Sequence, residues 1–204
     1  MEAKFIVFEG ITGSGKKTHI KILTDKLREA GIGVVNIAFP NYETDIARLT
    51  KRTELDPFTL SLLYAADRSL YQERIKALLE RGTVVISDRY CYSNFAYQSA
   101  RGIDMEWLQS IEKNIIKPHM VILIDLPVEM SMKRVEQASI EDFTKREVLS
   151  RMERERDFME KIREAYLKLA RYNKEAKWVV VDGSQDLKVN QEQIWDAVKN
   201  ELGL

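Results

Sequence analysis

Apolar residues along the chain follow two patterns, short unbroken runs and longer stretches at helical spacing. Three runs are continuous: Phe5-Ile6-Val7-Phe8, Val84-Val85-Ile86-Ser87 and Val121-Ile122-Leu123-Ile124. Strands covered on both faces read this way, so each predicts a buried parallel strand. Gly33 to Phe39 and Trp178-Val179-Val180-Val181 predict two more. Between the runs, Lys16 to Ala30 puts Ile20, Leu23 and Leu27 on one face and stops at Gly31. Pro57 to Arg81 predicts one long helix ending at Gly82; Met105 to Asn114, Glu147 to Tyr172 and Asn190 to Leu202 predict three others. Strand and helix alternate throughout, which argues for an α/β fold of three layers, a five-stranded parallel sheet with helices on both faces. No linker, composition shift or repeat divides the chain, so 1-204 is expected to be a single domain. Its least regular part, Glu136 to Arg151, is charge-rich without a clean apolar stripe and reads as solvated helix or mobile lid.

Composition narrows the function. At 204 residues, 45% hydrophobic and 31% charged, the chain can bury one core and is neither disordered nor fibrous. Lys plus Arg and Asp plus Glu number 32 each, so no net field draws it to nucleic acid or an anionic membrane. Any anion must be bound by a local site. The single cysteine, Cys91, excludes an intrachain disulfide and a thiolate cluster, as in a reducing compartment. No stretch approaches the ~18 apolar residues of a membrane span, and Met1 to Phe8 is too short for a signal peptide. The expected location is cytoplasmic.

A local anion site stands out in Gly10-Ile11-Thr12-Gly13-Ser14-Gly15-Lys16, between the first strand and an amphipathic helix. Glycines free the backbone to curl its N–H groups around a phosphate, and the helix N-terminus adds positive potential. Lys16 would reach the β and γ phosphates. A Ser or Thr that would hold Mg²⁺ is expected next, but Lys17 stands there. Thr18 lies a helical step of about 100° away and points elsewhere. Mg²⁺ would then be held through water, another carboxylate or ligand oxygens. Lys17 reads better as a solvated helix residue than as a second phosphate contact. His19 and His119 lack partners at ligand spacing, so no metal site is assigned to them.

The second strand run ends in Asp88-Arg89-Tyr90. The carboxyl edge of a parallel sheet is where such folds bind ligands. There Asp88 can hold Mg²⁺ through water or anchor Arg89, and Arg89 can grip a phosphate with two parallel hydrogen bonds. An ordinary strand-end ion pair is the plain alternative.

With these residues placed, the chain resembles the thymidylate kinase family of P-loop nucleoside monophosphate kinases nearly end to end. Phe8-Glu9-Gly10-Ile11-Thr12-Gly13-Ser14-Gly15-Lys16 looks like its phosphate loop, and Phe39-Pro40-Asn41-Tyr42 like its acceptor-contacting segment. Leu63-Tyr64-Ala65-Ala66-Asp67-Arg68 resembles the helix bearing an aromatic and an arginine at the base pocket. Asp88-Arg89-Tyr90 through Ser93-Asn94-Phe95-Ala96-Tyr97-Gln98 is the most family-specific stretch, and Arg163 to Ala170 is similar to the tail of the lid helix.

The resemblance implies a P-loop kinase fold that passes the γ-phosphoryl of ATP, with Mg²⁺, to dTMP. Residues Gly10 to Thr18 would hold the donor and Arg89 the acceptor phosphate. Tyr64 would stack on the base, Arg68 would donate to a base carbonyl, and Asn94 or Gln98 would read the polar edge. Tyr97 would pack near the deoxyribose; for both tyrosines, core packing is the alternative. Thr12 replaces the acid that family members often carry in the loop. Family members supply a transition-state arginine from loop or lid; this loop has none, so the lid must. Ser150-Arg151-Met152-Glu153 makes Arg151 the first choice, with Arg146 and Arg134 behind it, in a lid spanning about 134-152. A homodimer is implied as well. Two other readings are a broader deoxynucleoside monophosphate kinase and a weakly catalytic nucleotide-binding protein.

Overall fold

The computed structural model describes residues 2–52, 54–141 and 156–204. Strands β1 (Phe5–Glu9), β2 (Val34–Ala38), β3 (Val84–Asp88), β4 (Met120–Asp125) and β5 (Lys177–Asp182) form one parallel sheet in the order β2-β3-β1-β4-β5. The apolar runs are unbroken because alternate residues enter two separate cores. Phe5, Val7, Val85, Val121 and Leu123 face one; Ile6, Phe8, Ile86, Ile122 and Ile124 face the other.

The first core is closed by α4 (Gln72–Glu80), α5 (Cys91–Ser99), α6 (Met105–Ile111) and α8 (Arg156–Tyr172), the second by α1 (Lys16–Glu29) and α9 (Leu187–Leu202). On α1 the residues buried at helical spacing are Ile20, Leu23 and Leu27. Leu23 is fully buried, and truncating it to Ala costs about 2–5 kcal/mol. Among the described residues three further helices are α2 (Asp45–Leu49), α3 (Pro57–Ser69) and α7 (Val128–Glu141).

Several boundaries differ from the sequence pattern. Pro57 to Arg81 is not one helix, because the chain breaks at Leu70 and Tyr71. Tyr71 N–H bonds the Arg68 carbonyl three residues back, and the Gln72 side chain takes the same carbonyl at 2.7 Å. Those bonds close off α3 and leave Leu70 exposed. α9 starts earlier than expected, at Leu187, because Asp186 accepts from the Lys188 N–H at 2.8 Å and caps it. Helix α5 was not evident because Asn94 and Gln98 are buried beside its aromatics, which erases an apolar stripe. Arg134 to Glu141, the start of the expected lid, is the last part of α7. The remainder of that segment to 152 lies outside the described residues, as do residues 147–155, the expected start of the helix running to Tyr172.

β1 lies between β3 and β4, and the helices that follow β1 and β3 go to opposite faces of the sheet. The carboxyl ends of these strands therefore open a crevice at the point where the winding reverses.

Candidate active site

The loop leaving β1 is shaped by its glycines. Gly10, Gly13 and Gly15 have φ of 143°, 77° and 95°, values side-chain-bearing residues resist. A Cβ on Gly10 would sit 2.6 Å from the Ile124 carbonyl, so the loop lies directly against the end of β4. Ile11 is buried and anchors the loop to the first core. Lys16 Nζ donates to the Gly10 and Ile11 carbonyls at 3.0 Å each and to Ser14 Oγ at 3.3 Å, holding its charge across the loop. Lys17 and Thr18 are exposed on the first turn of α1.

The loop meets the end of β3 through Glu9, a fully buried carboxylate. Glu9 accepts from Tyr90 N–H at 2.8 Å, Ser93 N–H at 3.1 Å, Ser93 Oγ at 2.7 Å and Tyr166 OH at 3.0 Å. Tyr90 caps α5 without a side-chain bond of its own, so Glu9 supplies the anion that this helix start favours. Burial pushes the Glu9 pKa up, while Arg89 and these donors pull it back. Tyr166 comes from the apolar stripe of α8 (Met159, Ile162, Tyr166, Leu169), and burial raises its phenol well above the ordinary range.

Arg89 has φ 68°, the one positive value outside glycine among the described residues. That left-handed turn redirects the chain from β3 into α5 and aims the side chain back over the loop. Its Nη1 donates to Ser93 Oγ at 3.0 Å and Tyr166 OH at 3.3 Å; its Nη2 reaches Tyr97 OH at 3.3 Å and Thr12 Oγ1 at 3.4 Å. Burial alone would lower its pKa, but Tyr97, Tyr166, Glu9 and Asp88 hold it well above the usual arginine value. Thr12 Oγ1 also lies 3.3 Å from Tyr97 OH, so the loop hydroxyl, the tyrosine and the arginine form one cluster. Asp88 Oδ1 is buried without a hydrogen-bond partner among the described residues.

Ser93 and Tyr97 lie one turn apart on α5 and serve this cluster, while Asn94 and Gln98 occupy the adjoining face. Gln98 is buried and accepts from Arg101 at 3.1 Å. Asn94 joins Arg68 of α3 and Glu112 at the end of α6: Arg68 donates to Glu112 through Nε at 3.0 Å and through Nη2, and Asn94 Nδ2 donates to it at 3.1 Å. All three are buried. Tyr64 is half-buried on α3, one turn before Arg68. Phe39 lies in the core against Tyr71 and Tyr90, at ring distances of 5.2 and 5.7 Å, so it fixes the segment rather than lining an opening. The Phe39-Pro40 peptide is cis. The next residues are pinned by Asp67, which accepts from Asn41 N–H and Thr44 Oγ1 at 2.8 Å each. The exposed Tyr42 ring lies beneath Lys51 Nζ at 4.3 Å.

At the other end of the loop, Arg134 Nη2 donates to the Gly183 carbonyl at 3.3 Å, next to Gly15 and His19. This brings the Asp182-Gly183 turn beside the loop. Arg151 and Arg146 lie outside the described residues. Among the residues that do meet, sequence reasoning assigned no role to Glu9, Asp67, Ser93, Glu112 or Tyr166. Two carried a signal: Glu9 closes an otherwise apolar strand, and Glu112 prolongs the face of α6 that buries Leu108.

A glycine-rich loop, a strand-end Asp-Arg pair and a buried polar cluster drawn from α3, α5 and the end of α6 thus lie on the carboxyl side of the sheet. The sequence profile of the thymidylate kinase family matches residues 8–194. The chain belongs to the thymidylate kinase family. Proteins similar to it include a probable thymidylate kinase of Thermococcus kodakarensis, 38% identical over 98% of both chains. The thymidylate kinase of Sulfurihydrogenibium sp. is 38% identical over 96% of each. A probable thymidylate kinase of Pyrococcus abyssi is 37% identical over 99% of this chain and 98% of its own. Thymidylate kinases are nucleoside monophosphate kinases.

Proposed function

We propose that this protein transfers the γ-phosphoryl group of ATP to the 5′-phosphate of dTMP, giving dTDP and ADP. The observation that carries the reading is Arg89, whose guanidinium lies between the phosphate loop and the acceptor-side helix α5. In the transfer an acceptor phosphate oxygen bonds to the γ-phosphorus while the bond to the β–γ bridging oxygen breaks. The acceptor is already an anion, so the protein's task is positioning and charge neutralisation. Lys16 and the loop amides, Gly10 to Gly15, hold the donor; Arg89 holds the acceptor phosphate, and Tyr97 with Thr12 keeps its guanidinium in place. Tyr64, Arg68, Asn94 and Gln98 form the base side, with Pro40 and Tyr42 at its rim.

Mg²⁺ fits this site: the unpartnered buried oxygen of Asp88 is the donor it would use, in keeping with Lys17 being an exposed helix residue. The ion would neutralise phosphate charge at the loop. We further read 134-152 as a lid supplying Arg151, the protein as cytoplasmic, and its assembly as a homodimer. The last is supported by Phe58 and Leu62, exposed 53% and 50% one turn apart on α3.

ADP release with ATP, Mg²⁺ and each of dTMP, dUMP, dCMP, dAMP and dGMP tests the assignment. Turnover confined to dTMP, or to dTMP and dUMP, is expected. Equal rates across the bases would replace it with a broad nucleotide kinase, and ATP binding without turnover would refute it.

A further inference from the structure

The buried carboxylate of Glu9 meets Arg89 through other side chains. Its Oε1 takes the N–H groups of Tyr90 and Ser93, and its Oε2 takes the hydroxyls of Ser93 and Tyr166 at 2.7 and 3.0 Å. A carboxyl group that accepts on both oxygens and donates to nothing has the pattern of the ionised form. The same two hydroxyls lie 2.8 Å apart, and both accept from Arg89 Nη1, Ser93 at 3.0 Å and Tyr166 at 3.3 Å. A guanidinium can only donate, so neither hydroxyl proton points toward it. Those protons run instead to Glu9 Oε2, the one oxygen of the three that carries none of its own. The direction of the chain is thereby fixed: Arg89 gives to the hydroxyls, and the hydroxyls give to Glu9.

On Nη2 the acceptors of Arg89 are again hydroxyls, those of Tyr97 and Thr12. No carboxylate accepts from Arg89 among the described residues, although Glu9 lies one hydroxyl away. A direct carboxylate would grip the fork with two charge-assisted hydrogen bonds and compete with a phosphate for it. An interposed hydroxyl holds the group in place and leaves its charge to an incoming anion.

We propose that Glu9 is a positioning residue for phosphoryl transfer, acting through Ser93 and Tyr166 to fix the Arg89 guanidinium while leaving its charge to the acceptor phosphate. The inference rests on the nucleoside monophosphate kinase reading above, in which Arg89 holds that phosphate. Glu9→Gln reverses the relay at almost constant shape. Its amide oxygen must stay with the two backbone N–H groups, since turning the amide would set donor against donor there. The amide nitrogen then faces both hydroxyls and donates to them, as Arg89 does. The hydroxyls have only each other for their own protons, so at least one proton finds no acceptor and Arg89 Nη1 loses its place.

The test compares the calorimetric affinities of dTMP and of thymidine, which lacks the phosphate, together with kcat and thermal melting. The proteins are the wild type, Glu9→Gln, Tyr166→Phe, Arg89→Ala and the double variant Glu9→Gln/Arg89→Ala. We expect Glu9→Gln to weaken dTMP by about 10-fold and lower kcat by about 10–100-fold, the range for a lost hydrogen bond to a charged group. Thymidine affinity and the KM for ATP should barely move. Tyr166→Phe removes one of the two hydroxyls and should act in the same sense on a smaller scale. In the Arg89→Ala background Glu9→Gln should add little, because it acts through the residue already removed. A merely structural role would weaken dTMP and thymidine alike and add its full effect to that of Arg89→Ala. Either result overturns the proposal, as does an unchanged dTMP affinity and kcat in a Glu9→Gln protein that melts like the wild type. Should Glu9→Gln fail to fold, Tyr166→Phe decides on the same comparison of dTMP with thymidine. A wild type that binds ATP without turning over dTMP would overturn the kinase reading and this inference with it; a wild type that turns over dTMP while the variants match it overturns this inference only.

Discussion

The two ends of the crevice are built on different principles. The proposed donor end is a single seven-residue loop shaped by its backbone, with glycines at the tight positions and one lysine across it. The proposed base end draws Arg68 from α3, Asn94 from α5 and Glu112 from the end of α6, held to one another mainly through their side chains. A backbone cradle suits a phosphate chain, which looks the same on every nucleotide, and it needs only local geometry. Telling one base from another needs open donors and acceptors at fixed places, and side chains stay fixed only when buried partners hold them. Arg89 joins the two ends, touching Thr12 of the loop and Tyr97 of α5.

Cutting that joint should have the largest effect. Arg89→Ala is expected to lower kcat by roughly 10²–10⁴-fold, the range for losing a charged donor at the reacting group. ATP affinity, measured by calorimetry, should change little because Arg89 reaches the loop only at Thr12, while Lys16 and the loop backbone keep their own contacts. Arg89→Lys should fall between, since it keeps the charge and loses the fork. A kcat close to wild type in Arg89→Ala would remove Arg89 from the transfer step.

A smaller and one-sided effect is expected at Asp67, which holds the Asn41 N–H and Thr44 hydroxyl of the segment after β2. Asp67→Ala should raise acceptor KM by about tenfold, as for loss of one or two hydrogen bonds to a charged group, and leave the KM for ATP unchanged. If both constants rose together, the two ends would not be independent, and the contrast drawn here would fail.

This contrast also explains what was legible in the sequence. The five strands, helix α1 and the phosphate loop are local patterns, so a run of ten to fifteen residues contains all that specifies them. The split at Leu70 depends on Gln72 reaching back to the Arg68 carbonyl, which no periodicity reveals. The ion pair of Arg68 with Glu112 spans 44 residues of chain. Glu112 sits beside Lys113 in a charged stretch and reads as surface until α6 is seen to bury that face. Glu9 was visible as part of a motif, but its bonds to Ser93 and Tyr166 belong to the fold rather than to the segment.

The smallest effect separates the two ends by their response to acid. Beside the donor loop, His19 bonds Gln191 of α9, and burial followed by the nearby Arg134 charge lowers its pKa below the usual 6.5. His119, at the opposite end of the sheet, accepts the Phe5 N–H at 2.9 Å, and burial with Lys4 outweighs Glu2 and Glu201 to lower it as well. Both prefer to stay neutral in the fold. As pH falls through about 6.5, the unfolded chain takes up these protons before the folded one does, so stability falls with pH in that window. Glu9, raised by burial, acts in the opposite sense, so a difference between variants is the cleaner readout. Between about pH 7.5 and about pH 5.5, the wild type should lose more Tm than His119→Asn, and His19→Asn should also flatten the slope. For a chain this size roughly 2–4 °C corresponds to 1 kcal/mol, so the expected change is a few degrees at most. At the base end, Arg68 is raised by Glu112 against the effect of burial and stays charged throughout, so the ratio of kcat/KM for dTMP to that for dCMP should hold constant over the same interval. A ratio that drifted with pH while the melting slopes behaved as stated would show that a titrating group outside the Arg68–Glu112 pair also reads the base.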